Sequence, residues 1–163
     1  DSLLMKQLQK FTISIDAGSK EVYEKVRRPG KWSAITSSLD LLCETYGRVN
    51  HRGVVFAPFN LNFVLHYENM YDLINFIELC DTYKCTGTVQ ALQNWGTYGL
   101  VPNPPMFLKQ AVHVKTSEHY SEWEKIAHRA MEHELFSNVS LEHEILSQLS
   151  LPRVARHRHF GGK

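Results

Sequence analysis

The chain has 163 residues, the size of one ordinary domain, and its 43% hydrophobic and 21% charged residues support a packed core and exclude global disorder. The formal net charge of +1 supplies no general field to attract nucleic acid. There is no apolar run long enough to cross a bilayer and no secretory leader, and the three cysteines (Cys43, Cys80 and Cys85) lack framework spacing, which points to a reducing, cytoplasmic setting.

In chain order, residues 2–9 read as the end of a helix with Leu3, Leu4 and Leu8 on one side. Residues 11–15, Phe-Thr-Ile-Ser-Ile, alternate as a strand. Ser19 is a good N-cap for a helix carrying Val22, Tyr23 and Val26, which Pro29-Gly30 stops. A second helix is expected over 32–46, with Trp32, Ile35, Leu39, Leu42 and Cys43 as its buried stripe and Gly47 as its C-terminal cap. The apolar patch Val54-Val55-Phe56 ends at Pro58. Residues 61–66 read as a strand, 69–84 as a helix and 86–93 as a third strand. A Gly/Pro-rich loop occupies 94–105. Two helices are expected to close the domain, over about 117–136 and 140–149, the latter capped by Ser140. Residues 153–163 hold four basic residues and no acid, leaving 14 of the 18 Lys and Arg against all 17 Asp and Glu, a net of −3. The domain is thus 1–150, with 151–163 a solvated basic tail.

Strands alternating with helices predict an α/β fold with a parallel sheet, and parallel strands ordinarily need cover on both faces. In such arrays functional groups gather at the carboxyl ends of the strands. Ser14 and Asp16 stand at such an end and share a face by the period of two, offering a hydroxyl and a carboxylate suited to a ribose diol. Arg27, on the following helix, offers a guanidinium able to meet a carboxylate with paired hydrogen bonds. Trp95 and Tyr98 follow a strand end and are candidates to line a substrate mouth, weighed against burial as loop anchors. Glu124, His128 and Glu132 recur on one helix face, which reads as a solvated polar face rather than a metal site.

Three segments carry a resemblance. Ser14-Ile15-Asp16-Ala17, then Tyr23-Glu24-Lys25-Val26-Arg27, then Gly30-Lys31-Trp32 are similar to the fourth strand and following helices of radical S-adenosylmethionine enzymes. "LNFVLHYENMYDLINFIELCDTYKC", with Asn69 opening the helix, resembles the fifth strand and helix, and "TVQALQNWGTYG" resembles the sixth strand and its loop. The resemblance spans roughly residues 8–100. It implies a partial (β/α)6 TIM-like barrel with parallel strands, its first half missing, followed by a helical C-terminal region. It further implies that the complete enzyme binds S-adenosylmethionine on a [4Fe-4S] cluster and cleaves it reductively to a 5′-deoxyadenosyl radical. By position, Ser14 and Asp16 would lie near the ribose, Arg27 near the methionine carboxylate and Leu65 near the adenine.

The chain departs from that pattern at the cluster. No C-x3-C-x2-C motif is present, and Cys43, Cys80 and Cys85 read as small buried hydrophobes, so no metal ligands are assigned. Two functions follow: a fragment of a radical S-adenosylmethionine oxidoreductase inactive by itself, or a truncated, non-catalytic α/β binding or interaction module. The substrate is not encoded in any motif, and neither membrane nor nucleic acid is an expected partner. With the first strands missing, the strand at 11–15 becomes an exposed edge, through which self-association is expected.

Overall fold

The computed structural model describes residues 11–99, 101 and 104–150, so the expected helix at 2–9 and the basic tail at 151–163 lie outside the described residues. The elements run β1 (Phe11–Ser14), α1 (Lys20–Val26), α2 (Trp32–Tyr46), β2 (Arg48–Val49), β3 (Val55–Phe56), β4 (Phe59–Leu65), a 3-10 turn (Met70–Asp72), α3 (Leu73–Thr82), β5 (Thr86–Ala91), α4 (Pro105–Gln110), α5 (Tyr120–Glu132), a second 3-10 turn (Glu134–Asn138), β6 (Val139–Leu141) and α6 (His143–Gln148).

Four strands form one sheet in the order β1-β4-β5-β6, and every neighbouring pair is parallel. The α/β class and the parallel sheet agree with the sequence reading. Among the described residues the sheet is open, with β1 at one edge and β6 at the other. Each strand is apolar on one face. Phe59, Leu61, Phe63 and Leu65 of β4 lie in the core with Val89 and Ala91 of β5, under Phe76, Ile77 and Cys80 of α3 and Trp123 of α5. Gly87 belongs to this face for a steric reason: a Cβ there would approach the Phe76 ring within 2.9 Å. The three cysteines pack with this core, and Cys80 and Cys85 are fully or nearly buried.

The opposite face corrects the expectation of cover on both sides. Its residues are exposed or half-buried, apart from Asn62. They are uncharged and tied across the strands. Asn62 Nδ2 donates to Gln90 Oε1 at 2.8 Å and lies 3.4 Å from Ser14 Oγ. One layer below, Thr86 Oγ1 donates to Asn60 Oδ1 at 2.8 Å, and Thr88 shares the same amide. The alternation in "NLNFVL" and "TGTVQA" sorts the amides and hydroxyls, with Val64 beside them, to one face and the other apolar groups to the opposite one.

Other departures from the sequence reading are local. The expected helix at 140–149 begins at His143, because residues 139–141 alternate buried, exposed, buried and pair with β5 as β6. Ser140 is therefore a strand residue and Glu142 takes the N-cap position. Val55 and Phe56 pair antiparallel with β2 around a turn in which Asn50 Oδ1 accepts from Arg52 and Val54 N–H at 2.8 and 3.0 Å. Pro105, read as the last residue of the long loop, instead stands at the first position of α4. Gly47 is the C-cap of α2 as expected, with φ −58, and its N–H donates to Cys43 O.

Candidate functional site

Because the four strands are parallel, the segments leaving β1, β4, β5 and β6 emerge at one end of the sheet, and two groups of titratable side chains meet there. The first begins where β1 stops. Asn62 O accepts from both Ile15 and Asp16 N–H, at 2.9 and 3.2 Å, so the ladder stalls and the chain turns. Asp16 takes a left-handed φ of 55, uncommon for a residue other than glycine but tolerated by Asp. Its Oδ1 accepts from Val64 N–H at 2.8 Å, standing in for the carbonyl a continuing strand would have offered. Its Oδ2 lies 2.6 Å from Arg27 Nη2, where α1 ends. Arg27 Nε is buried without a partner among the described residues.

Two side chains lock this corner. Buried Asn69 donates Nδ2 to Asp16 O at 3.0 Å and Val64 O at 2.9 Å, and its Oδ1 accepts from His66 N–H at 2.8 Å. Asp72 Oδ2 accepts from Gly18 and Ser19 N–H at 2.6 and 3.0 Å. Ser19 is the N-cap of α1 as expected, but its own side chain makes no capping bond; the distant Asp72 supplies the anionic acceptor at that turn. Burial raises the Asp16 carboxyl above its usual range, opposed by the Val64 N–H and the Arg27 guanidinium. Burial also lowers the neighbouring His66, against the pull of Asp16.

Of the residues singled out from sequence, Asp16 and Arg27 are in contact, and Ser14 is exposed on the uncharged face, joined to this corner through Asn62. The Leu65 side chain is fully buried in the core, so only its backbone is available to a ligand. Trp95 is 88% exposed and anchors nothing. Tyr98 is half-buried, its ring 5.7 Å from that of Phe107. Glu124 accepts from Tyr120 OH at 3.0 Å and Ser150 N–H at 3.1 Å, which ties α5 to the end of α6.

The second group, at the ends of β5 and β6, has no motif behind it. Glu142 repeats the device of Asp16 at the other edge of the sheet: its Oε2 accepts from Ala91 N–H at 2.8 Å. Glu144 Oε2 accepts from Gln93 Nε2 at 2.7 Å, and its Oε1 lies 3.6 Å from Nε2 of His113. His113 is 0% exposed, and neither ring nitrogen has a hydrogen-bond partner among the described residues. Burial lowers its pKa, opposed by Glu144 and Glu142. The single readable signal for it is a histidine in the apolar run "QAVHV".

This neutral histidine has a stability consequence. As pH falls, the unfolded chain binds its proton first, near 6.5, while the folded state resists. Stability present above 6.5 is therefore lost on acidification toward the folded pKa. Urea unfolding at pH 7.5, 6.5 and 5.5 is expected to show a decline steeper in the wild type than in His113→Gln, by up to about 1.4 kcal/mol per pH unit. Parallel slopes would show that His113 is free to protonate in the folded state.

Among the described residues no group of three His, Cys, Asp or Glu is disposed to hold a metal ion, and no helix is long and apolar enough to cross a membrane. Cys80 and Cys85 stand together before β5, at the opposite end of the sheet from both groups, and contact with Cys85 and burial raise the Cys80 thiol pKa. A cavity of about 330 Å³ also lies at that end, lined by Arg48, Phe59, Asp81, Lys84, Thr86 and Asn138. Comparison with protein-family models, curated proteins and solved structures gives no match.

Proposed function

We propose that this chain is a carboxyl-terminal portion of a radical S-adenosylmethionine barrel, in which Ser14, Asp16 and Arg27 form the rim that receives the ribose and the methionine carboxylate. The observation that carries the reading is the Asp16–Arg27 pair, 2.6 Å apart at the carboxyl end of a parallel strand and beside the Ser14 hydroxyl's face. The Arg27 side chain is 36% exposed, so part of it stays open to a ligand carboxylate beside its bond to Asp16. The uncharged face supports the partial-barrel part of the reading. Solvent-facing strands commonly carry Lys and Glu, whereas amides and hydroxyls tied across strands suit a barrel interior that meets a polar ligand.

The described residues do not fit a [4Fe-4S] cluster. Cys80 and Cys85 are buried at the wrong end of the sheet, and no group of three ligands assembles among the described residues. No step through a cluster is assigned to this chain. What its own residues do is bind: the Ser14 hydroxyl donates to or accepts from a sugar diol, the Asp16 carboxylate accepts from it, and Arg27 neutralises a carboxylate. The alternative, a non-catalytic α/β binding module, draws on the structural use of the Asp16 carboxylate, which already bonds Val64 and Arg27.

Titration of 15N-labelled protein with S-adenosylmethionine tests the reading. Without a cluster to hold the amino and carboxylate groups, affinity is expected in the millimolar range, about −4 kcal/mol. Shifts should cluster at residues 14–18 and 62–66 and at the Arg27 Nε–H. Adenosine alone should move the Ser14 amide, methionine alone the Arg27 signal, and Arg27→Met should abolish the second. Shifts scattered over the surface, or none at millimolar ligand, would overturn it.

A further inference from the structure

We infer that the cavity where β4 and β5 begin, at the end of the sheet opposite the Asp16–Arg27 corner, is a second binding site, and that its ligand is a small aromatic carboxylate. The cavity measures about 330 Å³, in the lower part of the usual range for small-molecule sites. Two tied segments wall it. One is the chain from β3 into β4, the other the turn from α3 into β5, and Ala57 N–H donates to Tyr83 O at 3.2 Å between them. A ligand can enter, because Arg48, Phe56, Lys84 and Thr86 all line the cavity and are exposed.

The lining names the occupant. Phe56, Pro58 and Phe59 make an apolar side, and Phe56 is 43% exposed, open to a ring lying against it. The charged groups of the lining are Arg48, Lys84 and Asp81. Lys84 Nζ lies 2.7 Å from Asp81 Oδ2, and Asn138 Nδ2 lies 3.4 Å from Oδ1, so the one carboxylate is already paired. Arg48 forms no ion pair among the described residues. The cavity therefore carries one uncompensated positive charge beside an apolar wall. A carboxylate on a ring meets both: the guanidinium takes its two oxygens with paired N–H donors, and the ring displaces water from Phe56. An ammonium would be repelled by Arg48, and an acid as short as acetate would leave Phe56 bare. The site does not depend on what binds at Asp16 and Arg27.

The test titrates uniformly 15N-labelled protein with sodium benzoate at constant ionic strength and reads the amides of Ala57, Phe59, Lys84 and Asn138. Saturable shifts at these amides are expected in the millimolar range. They lie at the other end of the sheet from Arg27, so binding at the two places is told apart by which signals move. Arg48 is exposed and pairs with Phe56 through its backbone, so Arg48→Met keeps the fold, and it is expected to weaken the response about tenfold. Acetate and benzyl alcohol should give no saturable shift at these amides over the same concentrations. A cavity that holds only water would leave the four amides without a saturable response to benzoate and would overturn the proposal. So would a response that acetate or benzyl alcohol matches, or one that Arg48→Met leaves unchanged.

Discussion

Replacing Gly18 by alanine is expected to lower unfolding free energy by about 3 kcal/mol or more, the high end for overpacking. A Cβ built on Gly18 would stand 2.0 Å from Phe76 N and 2.1 Å from Asn75 C. Both are backbone atoms in the first turn of α3, so no rotamer change relieves the clash. The loop after β1 must lift away from the helix instead. Lifting it breaks the bonds from Gly18 and Ser19 N–H to Asp72 and leaves a buried carboxylate short of donors. Against a typical total of about 5–15 kcal/mol, such a loss is a large share of the fold's stability. Urea unfolding followed by circular dichroism measures it. A change under about 1 kcal/mol would mean that the loop and α3 are not packed as described. The substitution also reports on the candidate site, because the same loop carries Asp16 and feeds α1, at whose end Arg27 sits. The Arg27 Nε–H signal should therefore shift or broaden in any fraction that remains folded.

Gly18 is readable from sequence only as part of a turn, and the difference shows what a sequence exposes. β1, α2, β4, α3 and β5 announce themselves because their signals are local: alternation in "FTIS", the strand-like run "LNFVLH", which misses the first two residues of β4, and a helical stripe through Ile35, Leu39 and Leu42. Asp16 and Arg27 are legible singly, as a strand end and a helix end, but their contact is not, because Arg27 stands at the far end of α1 and meets Asp16 only once that helix is formed and placed. β6 has three residues, too few to display a period, and it exists because β5 offers an edge. Ser140 carries a strong capping propensity, and a ladder formed with a strand far earlier in the chain overrides it. His113 and Glu144 meet only after α5 and β6 have folded between them and α6 has docked, so no spacing rule finds them. The bare polar face is written plainly in the alternation of Asn60 and Asn62 with their apolar neighbours, but the general rule that parallel sheets are covered twice argues against reading it that way.

Asp16→Ala is expected to cost about 3 kcal/mol, the upper part of the usual range for a buried polar group, and its comparison with two other substitutions separates the causes. Alanine removes the acceptor of Val64 N–H and strips Arg27 of its partner. It also places a Cβ-bearing residue at φ 55 without the local bonding that Asp gains, at about 1 kcal/mol. The Arg27 share is modest, because its side chain is 36% exposed and water replaces part of the lost attraction. Asp16→Gly relieves the backbone and keeps the other two losses, so its cost should fall below that of alanine by about 1 kcal/mol. Asp16→Asn retains an oxygen for Val64 and tolerates the left-handed backbone, but loses the charge and turns an amide donor toward Arg27, which its partly exposed side chain can move to avoid, for about 1 kcal/mol. The expected order of damage, read from urea midpoints, is therefore Ala, then Gly, then Asn. The stability order and the ligand order need not agree, and that is the useful part. If Asp16 serves only as a stand-in for a strand carbonyl, the Asp16→Asn variant should bind S-adenosylmethionine as well as the wild type does. If its charge also fixes the Arg27 fork for a ligand carboxylate, the methionine-induced shift at Arg27 should disappear in Asp16→Asn while the fold stays within about 1 kcal/mol of the wild type.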